Sequence, residues 1–375
     1  MEQKKLGFGM MRLPLLDPND PAGVDLMQTC RMVDTFLERG FSYFDTAYMY
    51  HGGKSENAVC QALVKRHPRD SYQLATKLPV TMLKQAEDMD RIFNDQLKKC
   101  GVEYFDYYLL HCMNAANYAI ATRLDSFGFA MRKKKEGRIH RLGISYHDNA
   151  QLLDEVLAAH PEVEFVQLQL NYIDWDNANI QSRLCYEVCQ KYKKPVIVME
   201  PVKGGTLAAV PEEAKKLMEE YAPGMSPASW AIRFAASQKD VFMVLSGMSD
   251  YEQLLDNTGF MQEFHPLCEQ ETEIIQRVTD IINSSISIPC TGCRYCVDGC
   301  PQNIPLPQYF ALYNQLKQFG EQSNARFYYG NLSRRFGKAS DCIACGQCES
   351  HCPQHLKIID FMKDTAEIFD QPKKN

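Results

Sequence analysis

Phe41-Ser42-Tyr43-Phe44-Asp45-Thr46-Ala47-Tyr48-Met49-Tyr50-His51-Gly52-Gly53-Lys54-Ser55-Glu56 begins as an apolar run and ends in a polar, glycine-containing loop. The run stops at a carboxylate, Asp45, and a tyrosine, Tyr50, follows in the loop. Strand ends that give way to loops are where α/β folds carry their chemistry. The same ending recurs twice. Lys77 closes the run 72–76, and His111 closes the run 107–110.

Outward from this stretch, short apolar runs alternate with longer amphipathic segments. Eight runs read as strands: 6–11, 41–45, 72–76, 105–110, 141–145, 165–170, 195–199 and 241–245. They are nearly continuously apolar, as strands buried on both faces of a parallel sheet must be. Helical patterns fill the gaps, among them 24–39, stopped by Gly40, and 83–99, stopped by Gly101. Eight strand–helix units over this length predict an α/β fold, a (β/α)8 TIM barrel. A doubly wound sheet is the alternative, but no G-x-G-x-x-G follows the first strand. From Cys290 onward the alternation ends and the chain becomes rich in Cys, Gln and Pro. The expected division is a barrel over 1–262, a helical connector over 263–287 and a small, mainly α-helical domain over 288–375.

The composition is that of an ordinary globular protein, 45% hydrophobic and 23% charged over 375 residues. A net charge of -6 gives no sign of nucleic acid or an anionic membrane as partner. No apolar run approaches the roughly 20 residues of a membrane span. Met1-Glu2-Gln3-Lys4-Lys5 enters a glycine-rich strand directly, so no signal peptide is expected. Of fifteen cysteines, eight lie in two tight clusters near the C-terminus. That pattern suits metal ligation in a reducing cytoplasm better than disulfides.

At one barrel mouth Asp45, Lys77, Tyr50 and His111 would converge into a proton-donating site. A phenol with an ordinary pKa near 10 is a poor acid at neutral pH. A neighbouring ammonium, held by a carboxylate, is expected to lower that value, and an imidazole to orient a carbonyl oxygen toward the phenol. Taken singly, Asp45 reads as a turn cap, Lys77 as a solvated charge and His111 as a core histidine. The four in this order carry the functional reading.

Asp45-Thr46-Ala47-x-x-Tyr50, Gly53-x-Ser55-Glu56, Thr76-Lys77 and Leu110-His111 together resemble the aldo-keto reductase family over roughly residues 5–260. The resemblance implies a barrel that binds NADP or NAD without a Rossmann motif, with Tyr50 as acid beside Lys77, Asp45 and His111. It places Ser145, in Gly143-Ile144-Ser145, and Gln167 at the nicotinamide amide. Tyr146-His147 stands where the family carries Asn, and Met199 where it carries an aromatic platform. Lys203 and Gly204 resemble the pyrophosphate loop; Gly247, Ser249, Gln253 and Asn257 resemble the adenosine end. A flavin at the barrel mouth is also allowed.

Cys290-x-x-Cys293-x-x-Cys296-x-x-x-Cys300-Pro301 recurs as Cys342-x-x-Cys345-x-x-Cys348-x-x-x-Cys352-Pro353. This is the bacterial-type spacing for two [4Fe–4S] clusters, in which the fourth cysteine ligates the other cluster. Zinc prefers two separated pairs, often with histidine. The whole chain thus resembles aldo-keto reductases that carry a C-terminal ferredoxin-like domain. Expected are an oxidoreductase interconverting a carbonyl and an alcohol, a small-molecule carbonyl substrate, and a redox protein as a further partner. The clusters would relay electrons or staple the domain. The alternative is an electron-transfer or regulatory protein whose barrel is a nucleotide- or flavin-binding scaffold.

Overall fold

The computed structural model describes residues 4–371, apart from 19, 178–179, 291, 293, 295, 298, 320–324 and 353. Eight strands, β1 (Leu6–Gly9), β2 (Tyr43–Asp45), β3 (Gln73–Leu78), β4 (Phe105–Met113), β5 (Ile139–Tyr146), β6 (Phe165–Gln169), β7 (Val196–Met199) and β8 (Val241–Gly247), close into one barrel in chain order. All pairs are parallel, and β1 seals against β8 with Leu6 opposite Val244 and Gly9 opposite Gly247. An open doubly wound sheet is thereby excluded.

Side chains alternate along a strand, so residues two apart share a face. Tyr43, Ala75, Leu109 and Phe165 belong to one buried cluster with Tyr107, Ile197, Met243 and Leu245. Asp45, Lys77, His111 and Gln167 each lie two residues beyond a member of that cluster, at the C-terminal ends of β2, β3, β4 and β6. An apolar plug thus fills the barrel beneath a layer of polar groups. Gly143 leaves room for it, because a Cβ there would stand 2.4 Å from the Phe165 ring.

Local signals place the surrounding helices. Asp25 caps Leu26–Glu38 by accepting from Gln28 N at 3.0 Å, and Gly101, at φ +73°, ends Glu87–Cys100. Every strand differs from expectation by a few residues at one or both ends, and two departures have a visible local cause. β1 stops at Gly9, and Met10–Arg12 turns as a 3-10 helix whose Met10 carbonyl accepts from Ser55 Oγ at 3.0 Å. The helix expected from residue 83 begins at Glu87, after a 3-10 turn over Val80–Met82 that follows Pro79.

The chain divides into two compact units, 1–209 with 222–275 and 210–221 with 276–375. The second unit has no strand among its described residues; its longer helices are Glu212–Tyr221, Leu306–Phe319, Ala325–Leu332 and Ile358–Phe369. Ile288, Ile304, Tyr309, Phe310, Tyr329 and Met362 belong to its core. Asn314 pairs with both backbone groups of Ile288, accepting at 2.9 Å and donating at 2.7 Å.

Candidate active site and cysteine-lined cavities

Lys77 is fully buried and donates to Asp45 Oδ1 at 2.5 Å and to the Thr46 carbonyl at 2.8 Å. The other carboxylate oxygen accepts from Gln167 Nε2 at 3.3 Å. A buried ammonium survives only when paired and hydrogen-bonded. Burial, the largest single influence, favours loss of its proton, but Asp45 and Tyr50 together outweigh that and hold Lys77 above its ordinary value. The ammonium stands 5.0 Å from the centre of the Tyr50 ring, and His111 meets that ring edge-on at 6.0 Å. β2, β3, β4 and the loop after β2 therefore do bring the four residues together.

One expectation is corrected. Burial pushes the Tyr50 phenol above its ordinary value, and the Lys77 charge offsets this only in part. The proton is thus held more firmly than in water, because the pocket that seats the ammonium also desolvates the phenolate. His111 lies well below its ordinary value, through burial first and then chiefly the Lys77 charge. Its Nδ1 is buried without a hydrogen-bond partner among the described residues, a costly arrangement that calls for an explanation.

Behind Lys77 lies a buried network. Glu56 Oε1 accepts from Thr76 Oγ1 at 2.8 Å and from Gln96 Nε2 at 2.9 Å, and Gln96 also donates to the Lys77 carbonyl at 3.0 Å. Glu56 stands in the Gly53-x-Ser55-Glu56 motif, whereas Gln96 sits mid-helix with no local signal. His147 also enters the site. Its Nε2 is 3.5 Å from Ser145 Oγ, and desolvation of the ring and then the Lys77 charge push it down to about 4, although the residue as a whole is exposed.

The positions matched to a nucleotide spread around the same mouth. Ser145 Oγ accepts from Cys112 N at 3.0 Å and retains a donor. Met199 ends β7. Gly204 and Gly205 are exposed at φ +66° and +104°, but the Lys203 ammonium turns to the buried Asp174 at 2.5 Å. Gln253 accepts from Ser249 N at 2.9 Å, and Asn257 is buried and donates to Ser246 Oγ at 2.8 Å. Arg12 was missed in the sequence. A Cβ added at Gly247 would meet its Cβ, Cγ and Cδ at 3.2 Å and one at Gly204 its Nη2 at 3.3 Å, so its stem lies against Gly247 and its guanidinium beside Gly204. Nothing in Met11-Arg12-Leu13 distinguishes it locally.

The cysteines stand around two cavities within the second unit. One, of about 340 Å³, is lined by Cys342, Cys345, Cys348 and Cys300; the other, of about 310 Å³, by Cys290, Cys296 and Cys352. Cys293 lies outside the described residues. Each fourth cysteine thus sits with the other motif's set, as the spacing predicts. Ile304, Leu306 and Ile359 line the first cavity and Phe310, Leu356 and Ile358 the second. Donor set and apolar lining both fit a cubane.

The aldo/keto reductase family model matches residues 5–280, and a 4Fe-4S dicluster domain model matches 289–356. The uncharacterized oxidoreductase YqkF of Bacillus subtilis (strain 168) is 24% identical over 310 residues, 74% of this chain and 94% of that protein. Among solved structures, the holo form of the aldo-keto reductase AKR11C1 from Bacillus halodurans is 25% identical, with a TM-score of 0.59, over 73% of this chain and 91% of that one. An aldo-keto reductase from Klebsiella pneumoniae in complex with NADPH shares the fold, at 19% identity and a TM-score of 0.57, over 74% of this chain and 95% of that one. The first match runs through every strand of the barrel and the loops that gather its polar groups, and the chain belongs to the aldo/keto reductase family as an oxidoreductase.

Proposed function

We propose that the barrel interconverts an aldehyde or ketone and the corresponding alcohol, with NADP(H) or NAD(H), and that Tyr50 is the proton donor. A bound nicotinamide supplies or accepts the hydride. The observation that carries the reading is the buried Lys77–Asp45 pair facing the Tyr50 ring at the barrel mouth. In reduction the substrate oxygen gains charge as hydride arrives, and the phenol proton moves to it. Lys77 favours the phenolate left behind, opposing the burial that disfavours it. His111, kept neutral, offers a hydrogen bond to the same oxygen without bringing a second positive charge next to Lys77.

For the nucleotide, Ser145 offers a hydroxyl to the carboxamide. The exposed Gly204 and Gly205, with the Arg12 guanidinium beside Gly204, suit a pyrophosphate. Cys342, Cys345, Cys348 and Cys300 would hold one [4Fe–4S] cluster, and Cys290, Cys293, Cys296 and Cys352 the other. These clusters supply single electrons, which supports a redox protein as partner. We place the domains at 1–262 and 288–375, joined by the segment 263–287, in which Glu269–Ser285 is a helix.

Tyr50→Phe tests this reading. It removes one hydroxyl and should lower the single-turnover rate of carbonyl reduction by about 10²–10⁴-fold while nucleotide affinity stays near wild type. A variant that kept more than about a tenth of the rate would remove Tyr50 from the role.

A further inference from the structure

We propose that His51 is a positioning residue, whose ring ties the Tyr50 loop to the β1 loop and so fixes where the Tyr50 hydroxyl points. The inference rests on Tyr50 as proton donor.

His51 Nδ1 is 2.9 Å from the Pro21 carbonyl, and its Nε2 accepts from Leu13 N at 3.0 Å. A carbonyl only accepts and a backbone N–H only donates. The proton must therefore sit on Nδ1, and both ring nitrogens are used by the neutral form. Each bond reaches the segment between β1 and the helix Leu26–Glu38, one at each end of the excursion from Leu13 to Pro21. The imidazole thus clamps two crossing loops.

The backbone beneath it supports the same conclusion. His51, Gly52 and Gly53 run consecutively at φ +53°, +60° and +84°. Two are glycines, which enter this region freely, but His51 carries a Cβ and does not. A non-glycine residue held there persists only where its surroundings over-determine it, and such residues gather at functional sites. Here the surroundings are the two ring hydrogen bonds. Tyr50 is the residue just before this reversal, so a change in His51 backbone angles would swing the phenol directly. Amide side chains imitate the ring only by halves. Asparagine carries a donor near the Nδ1 position and glutamine an acceptor near Nε2, and neither has both.

The test combines His51→Ala, His51→Asn and His51→Gln with Tyr50→Phe. His51→Ala should slow single-turnover carbonyl reduction about ten- to a hundredfold, the effect of a misplacement of roughly 1 Å, with nucleotide affinity unchanged. Asparagine, which also tolerates a left-handed backbone, should recover part of the rate. Hydrogen exchange should show faster amide exchange at Leu13 in the alanine variant. In the Tyr50→Phe background, His51→Ala should cost nothing further, because the group it positions is gone. If His51→Ala keeps the wild-type rate, or its loss multiplies with that of Tyr50→Phe, the positioning role is wrong. A fully active Tyr50→Phe enzyme would overturn the donor reading and this inference with it, whereas an inactive Tyr50→Phe beside an unimpaired His51→Ala would overturn the inference alone.

Discussion

Asp45 and Lys77 are 32 residues apart in the chain, and the parallel pairing of β2 with β3 places one against the other. The cysteines, in contrast, come three to a short loop, and only the fourth of each set must be brought from the other motif. The barrel mouth holds the buried Lys77–Asp45 pair beside two imidazoles whose values burial lowers, which suits the proposed movement of a proton with a hydride. The second unit surrounds thiols with apolar side chains, a setting for holding clusters that pass one electron at a time. A site assembled from distant strands depends on the whole fold. A site built from local loops depends on a few spacings and one exchanged ligand.

The largest expected effect tests that exchange. Cys300→Ser should eliminate the cluster served by Cys342, Cys345 and Cys348, and Cys352→Ser the other one. In each case about half of the iron should go, and anaerobic electron paramagnetic resonance should lose different signals in the two variants. Loss of the same signal from Cys300→Ser and Cys296→Ser would mean that each motif holds its own cluster. Next is Lys77→Met, which leaves the Asp45 carboxylate buried without its cation. Removing one partner of such a pair costs on the order of 3–5 kcal/mol, which urea unfolding can measure. Adding Asp45→Asn should recover part of that loss, and strict additivity would contradict the coupling.

The smallest effect is an absence of change. The folded-state values of His111 and His147 lie below the ordinary 6.5 through burial. Both imidazoles are therefore neutral above 6.5 and stay neutral in the native state as the pH falls below it. Between 6.5 and about 4 the unfolded chain binds the His147 proton first, so stability, not activity, should decline with acid there. The reduction rate should stay level from about pH 7.5 to about pH 6, where an ordinary histidine would begin to charge. An acid limb near 6.5 that His147→Gln removes would contradict this.

Much of this was legible in the sequence, for physical reasons that differ by region. Buried parallel strands must be apolar throughout, so all eight strands could be read with errors only at their ends. Asp45, Lys77 and His111 were visible as polar residues ending such runs, and the cysteines through their spacing. Arg12, Gln96 and Asp174 left no such trace. They matter because they lie across a turn, behind a strand or beside Lys203, and only the folded chain puts them there. The sign of the Tyr50 shift was misjudged for the same reason. The Lys77 charge could be read from the chain, but the depth of burial that outweighs it could not.

The central claim is that the two regions carry separate electron chemistry, two electrons with a proton at the barrel and one at a time at the cysteines. Flavins, which join the two modes, would be needed between them. The direct measurement is to mix the purified cluster-loaded protein anaerobically with NADPH or NADH, without flavin, and follow the visible absorbance of the clusters. The account predicts no bleaching on the timescale of carbonyl turnover. Bleaching as fast as turnover would contradict it and make the clusters part of the catalytic cycle.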